Sequence, residues 1–227
     1  MKIALCINGV WRPWVKPKPT DLIRTMQEVL NPTDIFFHTW TEHRDSNPYD
    51  TLHCPEPVLD YHPVDDVTFP CDHGKFALYK ENKTMHEKTA NRSKQLLGYA
   101  DLLTKIPNDY DLVIRARWET IVSPLFDYNK YIQLAMDKGP VGFMIRPNRG
   151  QSIHEDLPVS TNKDDDWYQF LPDALIFHRK EQYNVDYVHE LHEQKNLLPA
   201  EWGWYQIMSK PYGDIHTSVH GGADVAR

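Results

Sequence analysis

Lys2-Ile-Ala-Leu-Cys-Ile-Asn8-Gly9 is a continuous apolar run closed by two turn-forming residues, the pattern of a strand buried on both faces. It is expected to open a central, mostly parallel sheet. Beyond the proline-punctuated loop from Trp11 to Pro19, Thr20 is the expected N-cap of a helix over Asp21 to Leu30, with Leu22, Ile23, Met26, Val29 and Leu30 on one stripe. Asn31-Pro32 stops that helix, and Asp34-Ile-Phe-Phe-His-Thr-Trp40 reads as a second strand. The three segments form a βαβ unit, for which a right-handed crossover is expected.

Working outward, residues 41–88 are rich in Pro, His and Asp and predict loops, with one short strand around Val58 to Tyr61. Leu96, Leu97, Ala100, Leu102 and Leu103 make a wide apolar stripe on a long helix from about Thr89 to Ile106, ended by Pro107-Asn108. Strands are expected at Asp111 to Arg117, Val141 to Ile145 and Ala174 to Phe177, and helices at Glu181 to Lys195 and Glu201 to Ser209. The polar stretch from Asn148 to Asp166 is long for a plain connection and suggests a functional loop. The tail from Ile215, with Gly221-Gly222, is expected to be irregular. No internal repeat or linker composition interrupts the chain, so one α/β domain over residues 1–227, a mostly parallel sheet flanked by helices, is the economical reading.

The composition narrows the function. At 227 residues the chain can bury a sizeable core. Its 41% apolar and 25% charged residues are those of an ordinary globular protein. The net charge of −7 argues against a general nucleic-acid or acidic-membrane partner. Apolar runs are too short for a membrane span or a signal sequence, and Cys6, Cys54 and Cys71 form no zinc or redox spacing, so a reduced, cytoplasmic setting is expected. The surplus lies in 8 Phe, 12 Tyr, 7 Trp and 12 His, residue types suited to bases, sugars and metals.

Ligand crevices of open α/β sheets lie at the carboxyl ends of the strands. This rule selects Asn8-Gly9 with Arg12, His38 to Trp40, Arg115 to Glu119, and His178. In Arg115-Ala-Arg-Trp-Glu119, alternation puts Val113, Arg115, Arg117 and Glu119 on one side if the extended path continues. Two arginines and a carboxylate leaving a buried strand need partners. They would make either a structural salt-bridge cluster, or a site in which guanidiniums hold a diphosphate and Glu119 offers a hard oxygen to Mg²⁺ or Mn²⁺. His216 and His220 in the tail are metal-ligand candidates, and imidazole favours Mn²⁺ over Mg²⁺. Asp164-Asp165-Asp166 reads as a solvated turn. Asp173 and Glu201 each start an element among aromatics and are general-base candidates, although Glu201 would equally serve as a helix N-terminal charge.

Together these segments resemble the single-domain GT-A fold glycosyltransferases, and more narrowly the small, minimal GT-A glycosyltransferases of cyanophages. The likeness rests on Asn8-Gly9 with Arg12, similar to a Ser/Asn-Gly-x-x-Arg closure of the first strand, on Ile35 to Trp40, and on the long helix with Ser93, Gln95 and Leu96. Tyr110 to Glu119 stands where such enzymes carry a strand running into a DxD motif. Pro172 to His178, Pro199 to Glu201 and Val219-His-Gly-Gly222 resemble the acceptor-side and C-terminal metal-binding segments. Where the pattern has DxD, this chain reads Arg117-Trp118-Glu119, so the first acid is replaced by a base.

The resemblance implies a nucleotide-sugar donor, most often a UDP-sugar, and an acceptor whose identity it leaves open. It implies Asn8, Gly9, Arg12, Trp40, Arg115, Arg117 and Trp118 around the donor, Mn²⁺ or Mg²⁺ on Glu119 and His220 with His216 as a further ligand, and Asp173 or Glu201 acting on the acceptor hydroxyl. Tyr168, Trp202 and Trp204 fall on the acceptor side. A viral protein of this kind would work in the host cytoplasm. The rival readings are a sugar-nucleotide-binding protein with little catalysis, and a metal-dependent nucleotidyltransferase or diphosphohydrolase.

Overall fold

Ile3–Asn8 form strand β1, and all six residues are buried because both faces of the strand are covered. Ile3, Leu5 and Ile7 pack with Ile23, Met26 and Leu30, while Ala4 and Cys6 pack with Leu96, Leu97, Ala100 and Leu103. The alternation expected of a strand between two helical layers is therefore met residue by residue. The structure, a computed structural model, describes residues 1–40, 45, 47–49, 83–144, 152–154, 156–159, 171–194, 196–197, 200–213 and 215–226, with the backbone alone at 83–93, 157–159 and 200–202. The strand expected near Val58, Cys54, Cys71, Asp164 to Asp166 and Tyr168 lie outside the described residues.

Helix α1 spans Pro19–Leu30 and begins earlier than expected: Lys18, not Thr20, is its N-cap, and Pro19 occupies the first turn. A proline there supplies a helical φ and its missing N–H costs nothing. The helix ends as predicted at Asn31, which turns left-handed with φ 44°. Strand β2, Asp34–Phe37, then pairs parallel to β1. It stops short of the predicted Trp40, and His38 to Trp40 turn into the buried interior.

Helix α2, Lys83–Lys105, is the long helix predicted from its leucine stripe, and leads into β3, Leu112–Arg117. Next come the short β4, Thr120–Val122, helix α3, Asn129–Asp137, strands β5, Val141–Phe143, β6, Leu157–Val159, and β7, Leu175–His178. The predicted helix from Glu181 divides into a 3-10 turn at Lys180–Gln182 and α4, Val185–Glu193, because the Asn184 side chain accepts from the Tyr187 N–H at 3.0 Å and starts the helix anew. Helix α5 spans Ala200–Met208. The tail is not irregular as expected: it forms β8, Thr217–His220, and β9, Ala223–Val225.

Among the described residues the central sheet has seven strands in the order β2-β1-β3-β7-β5-β8-β6, and β4 and β9 make a separate pair. Five strands run in one direction, while β7 and β6 run against their neighbours. The sheet is thus mostly parallel, as predicted, in a mixed α/β arrangement with helices on its faces. From β1 the chain goes to β2 on one side, then returns to β3 on the other. Adjacent strands whose connections diverge in this way open a crevice at their carboxyl ends. Among the described residues, no helix is long and apolar enough to cross a membrane.

Candidate functional site

The divergence of β1 and β3 fixes where to look, since Asn8 and Arg117 are register partners at the carboxyl ends of the two strands. At Gly9 the chain turns away with φ 123°, and a Cβ there would meet nothing within 4 Å, so the strand opens onto free space. Trp118 makes the floor. Fully buried, its indole N–H is shared between the carbonyls of Gly9 and His38, each at 3.0 Å, and its ring stacks on Phe37 at 5.4 Å and meets Trp11 edge-on at 5.0 Å.

Arg115 lies beneath this surface with no solvent exposure. Nε donates to Asn8 Oδ1 at 2.8 Å, one terminal nitrogen to Gln95 Oε1 at 3.1 Å, and the other to the Asp173 carbonyl. The guanidinium stands 4.6 Å from the Trp204 ring. Burial pushes its pKa down to about 10, opposed by the nearby Asp173 carboxylate, so it stays charged at neutral pH. Asn8 is likewise engaged inside, its amide N–H donating to the Gln95 carbonyl at 2.9 Å. Arg115 and Asn8, predicted to touch a donor, instead hold β1, β3 and α2 together. Trp118 and Trp40 are also walls rather than stacking platforms: Trp40 is buried edge-on against His38 at 5.0 Å.

Among the described residues, Arg117 and Arg12 are the guanidiniums that reach the crevice. Their side chains keep 21% and 41% exposure, while the Glu119 carboxylate below them keeps 4%. Glu119 Oε1 accepts from Arg117 at 2.7 Å and from Arg12 at 3.3 Å. Asp173 Oδ2 stands 3.9 Å from both Arg115 and Arg117. Thr120 sets the turn between β3 and β4: its hydroxyl donates to the Ala174 carbonyl at 2.7 Å and accepts from the Arg117 N–H at 2.8 Å. The Glu119 carbonyl accepts from Ala226 N–H at 2.9 Å, just past β9. Thr120 carried no signal in the sequence, because β4 is three residues long and shows no periodicity.

Asp173 belongs to this cluster because β7 is antiparallel, so its beginning lies at the crevice edge. For the same reason His178, predicted at the crevice, is at the opposite edge, in register with Val113. It is buried, with Nδ1 donating to the Arg179 carbonyl at 2.7 Å and Nε2 accepting from the Tyr99 hydroxyl at 2.6 Å. Glu201 lies in the first turn of α5, three residues before Trp204, with only its backbone described.

Of the predicted metal ligands, His216 is not brought to the crevice. His216 precedes β8 and packs against Tyr205 at 5.5 Å, at the edge of the sheet away from the crevice. His220 ends β8 on the crevice edge, three strands from β3, and the chain after it returns through β9 to the Glu119 carbonyl. No group of three or more His, Cys, Asp or Glu that could hold a metal ion occurs among the described residues. Among the described residues, the guanidiniums of Arg12, Arg115 and Arg117 stand around the carboxylates of Glu119 and Asp173. At roughly 4 Å and an effective dielectric of about 20, a guanidinium repels a divalent ion by about 8 kcal/mol, cancelling the attraction of a carboxylate at that distance. These residues do not fit a resident Mn²⁺ or Mg²⁺.

No protein-family model and no curated protein sequence matches the chain. Among solved structures it is similar to a candidate glucose-1-phosphate thymidylyltransferase from Bacillus anthracis in complex with a sucrose, at 13% identity and a TM-score of 0.48, over 98% of this chain and 88% of that one. It is similar to the galactosyltransferase LgtC in complex with donor and acceptor sugar analogues, at 10% identity and a TM-score of 0.41, over 91% and 69%. HddC from Yersinia pseudotuberculosis complexed with GMP-PN matches at 10% identity and a TM-score of 0.37, over 80% and 78%. The likeness is in chain path alone.

Proposed function

We propose that the protein is a glycosyltransferase that moves a sugar from a nucleoside diphosphate sugar, a UDP-sugar first among them, to an acceptor hydroxyl. The observation that carries this reading is the pair Arg12 and Arg117 at the divergence of β1 and β3, presented to solvent over a buried carboxylate. Two guanidiniums at the mouth of a cleft in an otherwise acidic protein suit a compact polyanion such as a diphosphate.

In the proposed reaction the bond between the anomeric carbon and the diphosphate oxygen breaks, its electron pair stays on that oxygen, and Arg117 and Arg12 stabilise the charge that develops there. The acceptor oxygen forms the new bond to the anomeric carbon and its proton passes to a carboxylate. Glu201, one helical turn from the tryptophan that packs on Arg115, is the proposed base. Asp173, held between two guanidiniums, is a positioning residue for them.

The pairing of both described carboxylates with arginines also supports the second reading, a sugar-nucleotide-binding protein with little catalysis. Incubation with a panel of nucleotide sugars and simple sugar acceptors separates these readings. Release of nucleoside diphosphate with a glycosylated product supports the transferase. Release of nucleoside monophosphate and pyrophosphate supports a nucleotidyltransferase or diphosphohydrolase instead, and nucleotide binding without product supports the binding protein.

A further inference from the structure

We infer that Arg117 and Arg12 do the work of a metal at this site: the free protein stores them on Glu119, an arriving diphosphate takes them over, and nucleoside diphosphate binding needs no divalent cation. This inference rests on the proposed nucleotide reading and adds to it the means of charge neutralisation.

The order of burial decides the sign of the ligand. A molecule entering from solvent meets the Arg12 and Arg117 side chains, at 41% and 21% exposure, before the Glu119 carboxylate at 4%. A cation would have to pass two guanidiniums to reach the carboxylate, whereas an anion meets its counter-charges first. Position 117, where the resemblance leads one to expect a metal-holding acid, carries a base whose NH1 also stands 3.9 Å from Asp173.

Glu119 holds both arginines in the free protein. One oxygen, Oε1, receives both guanidiniums, at 2.7 and 3.3 Å. Its backbone is fixed by the Ala226 N–H on one side and by the turn through Thr120 on the other. The guanidiniums are thus set in place before the ligand arrives, and the exchange trades one oxyanion for another at the arginines while the buried Glu119 carboxylate gives up its partners, a cost that Glu119→Gln removes. A diphosphate carries more negative charge than a single carboxylate and offers oxygens to both arginines at once. Glu119 is therefore a positioning residue, in contrast to the ligand role that the resemblance implies for it.

The test is calorimetric titration of the whole protein with UDP, GDP and inorganic pyrophosphate, each in EDTA and in MnCl₂, with a thermal melt confirming that every variant is folded. The expected result is UDP or GDP binding in EDTA as tight, within about threefold, as in MnCl₂. Arg117→Ala and Arg12→Ala each weaken it about tenfold or more in both buffers, and Arg117→Lys weakens it less than Arg117→Ala. Glu119→Gln keeps or tightens binding in EDTA, because the competing carboxylate charge is gone. Nucleotide binding that requires Mn²⁺ and is lost in Glu119→Gln overturns the inference while leaving the nucleotide reading intact. Pyrophosphate binding in EDTA without any nucleotide binding does the reverse: it keeps the arginine clamp and removes the nucleotide. Arg12, the more exposed of the pair, keeps the test decisive if the Arg117 variants fail to fold.

Discussion

The Nε of Arg115 donates to Oδ1 of Asn8 at 2.8 Å, joining β3 to β1 directly beneath the crevice. Both side chains are fully buried, so neither can turn to water if its partner is removed. Asn8→Ala leaves a charged donor without its acceptor and the Gln95 carbonyl without its donor. Urea denaturation is expected to show a loss of about 2–4 kcal/mol, well above the cost of a surface substitution. A loss under about 0.5 kcal/mol would mean that the buried guanidinium finds another acceptor.

His178 gives the fold a pH dependence. Burial holds the pKa of this neutral imidazole down to about 4, against 6.5 when exposed. The unfolded chain then binds more protons than the folded one between those values, so stability falls as pH drops from about 6.5 toward 4, by at most about 3 kcal/mol from this residue. Denaturation of the wild type and of His178→Asn at neutral pH and near pH 4.5 isolates the effect. The wild type should lose more than the variant, and equal losses would show that His178 does not resist protonation.

Gly142 in β5 has no room for a side chain, since a Cβ would stand 2.4 Å from the Pro172 carbonyl oxygen. Gly142→Ala must push the backbone just before Asp173, and with it the acceptor of Arg115. A destabilisation of about 1–3 kcal/mol is expected in thermal or urea unfolding, accompanied by weaker UDP binding although the residue is outside the crevice. Unchanged stability would show that the Pro172 segment yields freely.

Trp118→Phe keeps an aromatic floor and removes the N–H shared by the Gly9 and His38 carbonyls. The expected cost is about 1–3 kcal/mol, because both carbonyls are left under the ring without that donor. If the indole were a nucleotide platform instead, stability would hold and UDP affinity alone would fall.

The strands that could be read from the sequence were those whose burial writes a continuous apolar run, β1 and β3, and α2 announced itself by its leucine stripe. The segment from Arg115 to Glu119 could be singled out because charged residues leaving a buried strand demand partners, and it does form the centre of the crevice. What stayed hidden was direction and depth. Periodicity is the same for a strand running either way, so His178 was placed at the crevice and β7 in fact brings Asp173 there. An arginine and a tryptophan on a strand look alike whether they face a ligand or a packed helix, and only the α2 and α5 side chains above Arg115 decide that it is interior. The Thr-Ser-Val-His strand β8 has no apolar pattern of its own, and becomes a strand because β5 and β6 lie on either side of it.

The reversed strand also sets an order of events. Arg115 obtains the Asp173 carbonyl through a contact spanning 58 residues, so the loop that delivers it must close before the cluster is complete. Pairings this distant in sequence slow folding. Until β7 docks, Arg115 and Arg117, two residues apart on β3, lack the Asp173 carboxylate that stands 3.9 Å from both, and its arrival draws β7 onto β3. Salt that screens this attraction should slow the docking of β7, making the crevice a kinetic bottleneck of the same molecule in which it is the candidate site.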